Sequence, residues 1–287
     1  MVNVKILRVF LDGSSLGGRG YYSPLHRELG CASLIPIPED PLLLREEYRV
    51  DPPSFMDPDK WIDVCTGRVI SSFMPIRPPI RLNEFVRGVP SRKGIAYREP
   101  WILHNDPRID RGFYTDTGSR IPRELKRGDI LFFAAGLAEY PRDFWNRRRT
   151  LSSIINAFNR AREEGKAGIY LVGGIVVKEV VHLDTNEDWE KAISMHSYLR
   201  ESPHFYRLNR SAIAIIGRGF TVSPPAPLTI PRRGSSLGTP SRLLQEILGK
   251  EAAHSFVRGN ARISKLVEVV SMEKIFDMLA VEGLSGL

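Results

Sequence analysis

The chain has little sulfur chemistry to offer. Two cysteines, Cys31 and Cys65, occur in 287 residues. Their separation matches no metal-binding or redox motif, which excludes a Cys-based zinc site or a C-x-x-C catalyst. They read as buried thiols of a reducing compartment, with a mutual disulfide as the alternative open to a heat-adapted source. No run of eighteen apolar residues occurs, so no transmembrane helix is expected. The opening MVNVKILRVFLDG lacks a small-residue cleavage site after its short apolar stretch. It reads as a first strand rather than a signal peptide, and a cytoplasmic location is expected. A Walker loop, G-x-S-x-G, H-E-x-x-H and paired C-x-x-C are all missing, so no strong catalytic signature names a reaction. There is also no internal repeat and no long heptad array.

The composition that remains, 42% hydrophobic and 26% charged, is that of a globular protein with a sizeable core. The net charge is +8, carried by Arg far more than Lys. Guanidinium binds phosphate with a planar fork and stacks on bases, so this bias suits a nucleic acid or nucleotide. A GC-rich genome or thermophile ion-pair networks raise Arg as well, and the single glutamine, Gln245, fits a thermophile.

Residues 123–181 organise the rest. Gly128-Asp129 is a turn signal leading into a short apolar run, 130–135, which suits a strand buried on both faces. Residues 147–164 place Leu151, Ile154, Ile155 and Phe158 at helical spacing, with arginines opposite. Residues 169–181 form a longer β-branched run containing Gly173-Gly174, the mark of a bulge, a bend or a close backbone approach. Further strands are expected at 4–11, 32–37 and 211–216, and a helix at 186–199. Residues 39–100 are rich in proline and are expected to wrap the core as an arm with short helices. Residues 221–231 read as a second Pro-rich connector, followed by a basic Gly/Ser loop able to hold phosphate. Amphipathic helices are expected at 241–250 and 263–279, packing on the core or on a partner.

Three loops gather polar chemistry. After the first strand, Asp12, Ser14, Ser15, Gly17, Gly18 and Arg19 can present backbone N–H groups and charge to an anion, with Tyr22 following. WILHNDPRIDRGFYTDTG collects His104, Asp106, Tyr114, Thr115 and Asp116. His104 with Asp106 can act as an acid/base pair or bind a metal, while Asn-Asp-Pro is also an ordinary turn. HSYLRESPHFYRLNR brings His204, Tyr206, Arg207, Asn209 and Arg210, a mixture suited to gripping a base. His196 and His204 lack metal-helix spacing, so no metal-ligand set and no cofactor is assigned.

The order DGSSLGG, YYSP, SLIPIPE, HNDPRIDRGFYTDTG, LKRGDILFFAAG, GIYLVGGIVVKEVV, HSYLRESPHFYRLNRSAIAI resembles the third type of the nucleotide modification-associated domain families, over residues 4–220. That family shows an S-x-G-G-x-P-S-P loop, an H-x-D-P segment and a G-D-L-x-L-F-F-G strand. This chain departs where Gly20-Tyr21-Tyr22 interrupts the loop and where Ser202-Pro203-His204 stands for Asn-Pro-His. Gly128, Asp129, Phe133, Gly173, Val177 and Glu179 also look like the pattern of PUA-like domains, including EVE domains. The first resemblance implies an α/β domain tied to nucleotide modification. The second implies a compact β-barrel that binds RNA or modified bases.

The reading that follows is an α+β (mixed α/β) protein. Its twisted central sheet is partly closed and barrel-like, PUA-like in part, flanked by helices and wrapped by the Pro-rich arm. Residues 1–235 form one domain with the insertion 39–100, and 236–287 a C-terminal helical extension. The expected function is binding of a nucleic acid or nucleotide in base modification. Asp12, His104, Asp106, Asp116 and His204 are the candidates for proton transfer. Ser14, Ser15, Gly17, Gly18, Arg19, Tyr22, Tyr114, Thr115, Arg120, Tyr206, Arg207, Asn209 and Arg210 are the candidates for phosphate and base contacts. The rivals are an enzyme on a nucleobase or sugar-phosphate (glycosylase, hydrolase or transferase) and an assembly protein that dimerises through its C-terminal helices. The enzyme needs His104, Asp116 and His204 in one pocket. The assembly protein needs an exposed apolar stripe on 263–279.

Overall fold

The computed structural model describes residues 2–10, 21–39, 43–76, 102–117, 124–233, 235–258, 264–269 and 272–279. Among them the strands are β1 (Val2–Arg8), β2 (Ser23–His26), β3 (Cys31–Ala32), β4 (Ile37–Pro38), β5 (Leu103–His104) and β6 (Phe113–Asp116). They continue with β7 (Ile130–Ala138), β8 (Ala167–Leu183), β9 (Ala212–Pro227), β10 (Thr229–Arg232), β11 (Ser235–Pro240) and β12 (Val267–Val269). The main sheet runs β12-β1-β7-β8-β9-β6. β1 lies parallel to β7, and β7, β8, β9 and β6 follow antiparallel. β2 continues along the same edge of β7 beyond β1.

β7 is buried at all nine positions, which is why it reads as an unbroken apolar run. The turn before it forms as its residues dictate. Gly128 takes φ +91°, and Asp129 Oδ2 accepts the Lys126 amide at 2.8 Å. Asp129 Oδ1 accepts from the backbone and side chain of Asn3, which pins β1 beside β7. In β8 the ladder to β9 slips between Leu171 and Gly173. A Cβ on Gly173 would meet the Phe220 carbonyl oxygen at 2.5 Å, so the close approach requires glycine.

The helices are α1 (Glu46–Val50), α2 (Leu151–Glu163), α3 (Asn186–Met195), α4 (Arg242–Leu248), α5 (Lys250–Arg258) and α6 (Met272–Leu279). α2 starts four residues later than periodicity suggests. The Arg149 carbonyl is taken by the Ile76 amide, and Thr150 caps the helix by accepting from Ser153 N. Ile154 and Phe158 enter the main core, each burial worth about 2–3 kcal/mol. Phe158 packs on Tyr22, whose ring lies over Gly136 where a Cβ would come within 2.7 Å of it.

Four expectations need correction. The sheet is open rather than barrel-like: among the described residues its end strands β12 and β6, three and four residues long, form ladders with β1 and β9 and not with each other. Residues 221–231 are not a connector, because β9 runs to Pro227. The pairs Gly173↔Thr221 and Leu171↔Ala226 leave Pro224 and Pro225 in a bulge, where no ladder N–H is needed. The segment 263–279 is not one helix: Val267–Val269 pairs with β1 before α6 begins. Ile275 and Leu279, like Leu244 and Phe256 of the preceding helices, sit in the same core as the sheet. Ile275 and Leu279 thus face the main core, while Met278 alone of the large apolar side chains described in this helix is exposed, which makes no contiguous stripe. Finally, Cys31 and Cys65 form a disulfide, with Cα atoms 5.7 Å apart, the alternative to the buried thiols their composition first suggests.

The described part of the arm, residues 43–76, holds α1 and a series of short turns. Leu44, Phe55 and Met56 form a small core of their own with Ile102, and Ile70 and Phe73 join the main one. No described helix is long and apolar enough to cross a membrane.

Candidate functional site

The site is assembled where the ladder β4–β5 meets the segment that leads into β9. Ile37 pairs with His104 and Pro38 with Leu103, so Glu39 leaves β4 beside the imidazole of His104. His104 Nδ1 and Glu39 Oε2 are 2.8 Å apart. The carboxylate accepts there, so Nδ1 carries a proton. Two residues on, Asp106 turns back to β6. Its Oδ2 accepts from the Thr115 amide at 3.0 Å and from Thr115 Oγ1, and Thr115 Oγ1 also contacts Ser202 Oγ at 2.8 Å. Ser202 opens the turn 203–206, with Pro203 in its first position, and accepts from the His204 amide at 3.2 Å. This chain of hydroxyls sets His204 against His104, ring centroids 4.9 Å apart and nearly perpendicular.

Arg207 closes the cluster. Its Nη2 and Nε donate to Glu39, and its Nη1 lies 3.1 Å from His204 Nδ1. Arg108, also buried, pairs with Asp110 and Glu201 and lies over the Trp61 ring. Ligand atoms of His104, Asp106 and His204 all lie within 4.8 Å of one another, so this set can hold a metal ion. Asp106 and His204 are buried, whereas the His104 side chain keeps 12% exposure and forms the opening.

Electrostatics divides the two carboxylates. Burial alone would raise Glu39, but the charge and hydrogen bond of His104 and the charge of Arg207 hold it down at about 2. Burial pushes Asp106 up to about 7, against the His104 charge and the Thr115 hydrogen bonds. Its Oδ1 is buried with no hydrogen-bond partner. Burial also drives His204 well below the ordinary imidazole value, helped by the charges of His104 and Arg207 and opposed by Glu39.

The structure therefore brings together His104, Asp106, Thr115 and His204. It turns Tyr114 and Asp116 to the opposite face of β6, where Tyr114 Oη donates to Asp116 at 2.7 Å and the ring packs on Phe133, so the expected enzyme set of His104, Asp116 and His204 is corrected: Asp106 stands with the two histidines where Asp116 was expected. Tyr22 and Tyr114 are core residues, so base stacking is closed to them. Tyr206 is half-buried among Tyr48, Phe55 and Phe205. Arg207 serves Glu39 rather than an outside phosphate. Asp12, Ser14, Ser15, Gly17, Gly18, Arg19 and Arg120 lie outside the described residues.

Asn209 and Arg210 line a cleft of about 400 Å³ together with Arg45, Asn186 and Asp184. Arg210 lies over the Phe205 ring and donates to Asn186 Oδ1. Burial lowers its pKa, and the charge of Arg45 pushes the same way. Two guanidiniums thus crowd one cleft a few residues along the chain from His204.

Sequence reasoning missed Glu39 and Ser202. SLIPIPE did end a short strand on an acid, but nothing local says which strand pairs with it. The metal-capable set was missed for the same reason: two of its members are neighbours, and the third lies about a hundred residues away. No family model, no curated protein and no solved structure matches the chain.

Proposed function

We propose that this protein is an enzyme acting on a nucleotide or nucleic acid, by hydrolysis or transfer at a nucleobase or sugar-phosphate. Its reaction centre is His104, Asp106 and His204. The observation that carries the reading is their convergence, together with a carboxylate oxygen of Asp106 that is buried and bare. A buried polar atom without a partner costs about 1–3 kcal/mol, and among the described residues Asp106 Oδ1 is the carboxylate oxygen left so. Glu39 orients His104 and Arg207 neutralises Glu39, so the opening presents one imidazole backed by a fixed carboxylate.

The substrate class is supported by the +8 charge and by the Arg45–Arg210 cleft, which is suited to a phosphate. The motif resemblance to nucleotide modification-associated domains points the same way, and a cytoplasmic setting belongs to this proposal. The test pairs binding with turnover. Labelled duplex DNA, single-stranded DNA, tRNA and free nucleotides are titrated at several salt concentrations, and products are followed by mass spectrometry. The expected result is salt-dependent binding of one form. For an oligonucleotide, Arg210→Ala should lower the log–log salt slope by about 1. Product formation should fall at least about 100-fold in His104→Ala. No binding of any form at low salt, with no product, would sink the proposal. Binding without product, unchanged in His104→Ala, would reduce the protein to a binding module.

A further inference from the structure

We propose that His104, Asp106 and His204 bind one divalent transition-metal ion, which acts as the electrophile of the reaction centre. The inference rests on the proposed function for the ion's role, but not for its binding.

Geometry comes first. The three ligand atoms lie within 4.8 Å of one another. An ion about 2.1 Å from each would set them about 3–4 Å apart, a contraction that side-chain rotation supplies. Asp106 then shows which atom is meant for the ion. Its Oδ2 is fixed by two hydrogen bonds from Thr115, while Oδ1 is buried and bare, on a residue only 5% exposed. This is how a monodentate carboxylate ligand is prepared: one oxygen held, the other left for the cation.

The outer contacts support the same conclusion. Metal-bound histidines commonly donate their second N–H to a carboxylate, which sets the tautomer and strengthens the ligand. His104 does this with Glu39. Arg207 neutralises Glu39, so the cation meets the charge of Asp106 alone and keeps a net positive charge toward an anionic substrate. Two imidazoles and one carboxylate suit zinc, iron(II) or manganese rather than calcium or magnesium, which prefer oxygen ligands throughout. Three protein ligands leave positions for water or substrate on the His104 side, where the cluster opens.

One contact opposes binding. Arg207 Nη1 donates to His204 Nδ1 at 3.1 Å. A metal on Nδ1 competes for that lone pair, and a metal on Nε2 puts a proton there. Either way this hydrogen bond breaks when the ion enters, while Glu39 keeps hold of the guanidinium.

The experiment uses the full chain, stripped with chelator and dialysed. Zinc, manganese and, without oxygen, iron(II) are titrated separately by calorimetry and thermal unfolding, and cobalt(II) serves as the optical probe. The wild type should take up about one equivalent, with a rise in Tm and a cobalt d–d band of low coordination number. Asp106→Asn and His204→Gln should each weaken binding at least about 100-fold, with an unchanged far-ultraviolet spectrum, and Glu39→Gln about 10–100-fold. If one ligand variant does not fold, the other and the cobalt spectrum of the wild type decide. A wild type that binds no ion, or binds it no better than these variants, overturns the inference. Activity that resists chelation yet vanishes in Asp106→Asn also overturns it, while leaving the enzyme reading intact. An ion bound as expected without nucleotide turnover upholds the site and removes the substrate proposal.

Discussion

Two regions of the molecule bury a histidine, a hydroxyl and a carboxylate together, and they end differently. Beside the disulfide, Ser33 Oγ donates to Asp63 Oδ2 at 2.8 Å and accepts from His26 Nε2 at 2.8 Å. Asp63 Oδ2 also accepts from the amide and hydroxyl of Thr66. The three residue types are those of a nucleophile triad, but their order is wrong for one. The serine proton goes to the carboxylate and not to the imidazole, so no base faces the hydroxyl. These bonds tie β2, the end of β3 and the arm together. At His104, Asp106 and His204, the amide and hydroxyl of Thr115 again satisfy one carboxylate oxygen, and the other is left bare. Function is read from the unmet atom rather than from the residue types.

The contrast can be broken most directly by mutation. Asp63→Ala strands three donors and should cost about 3–5 kcal/mol in urea unfolding. Asp106→Asn, measured in chelator, should change stability by less than about 1 kcal/mol. The amide keeps an acceptor for Thr115 and removes the desolvation cost of burying a carboxylate. Equal losses from the two variants would make Asp106 a structural residue like Asp63.

Next in size is the disulfide. It closes a sequence separation of 34 residues, worth about 3–4 kcal/mol by chain entropy. Unfolding with and without reductant should show that loss, and the reduced protein should still hold its reaction centre under conditions where it stays folded.

The smallest effect concerns pH. Burial holds His26 below the ordinary imidazole value, with the charge of Arg68 pushing the same way and Asp63 opposing. Below the unfolded value of about 6.5 the unfolded chain takes up a proton that the folded chain resists, so stability should fall as pH drops through that range. His26→Gln should flatten this part of the stability–pH curve. An unchanged slope would mean that His26 is not the group responsible.

Much of the scaffold was legible in the sequence. Continuous burial of β7, the Gly128-Asp129 turn, the α2 stripe and the Gly173-Gly174 irregularity all follow from patterns a few residues long. His104, Asp106 and His204 were legible as residue types, but not as a set. Tyr22, Tyr114 and Arg207 show the opposite error. Each looks made for a nucleotide, and each is used internally, because Phe158, Phe133 and Glu39 reach it first.

What the sequence by itself determined is local: the strands at β1, β7 and β8, the stripe of α2, where a turn needs Gly or Asp, and that the chain is basic. Side-chain period and turn chemistry act over a handful of residues, so they need no knowledge of partners. Only the tertiary structure decided that the sheet stays open, that Val267–Val269 joins β1, that Cys31 meets Cys65, and that Glu39 stands behind His104 while His204 faces it. Those are pairings between segments far apart in the chain. They are chosen by packing and strand register across the whole molecule, which no short stretch encodes.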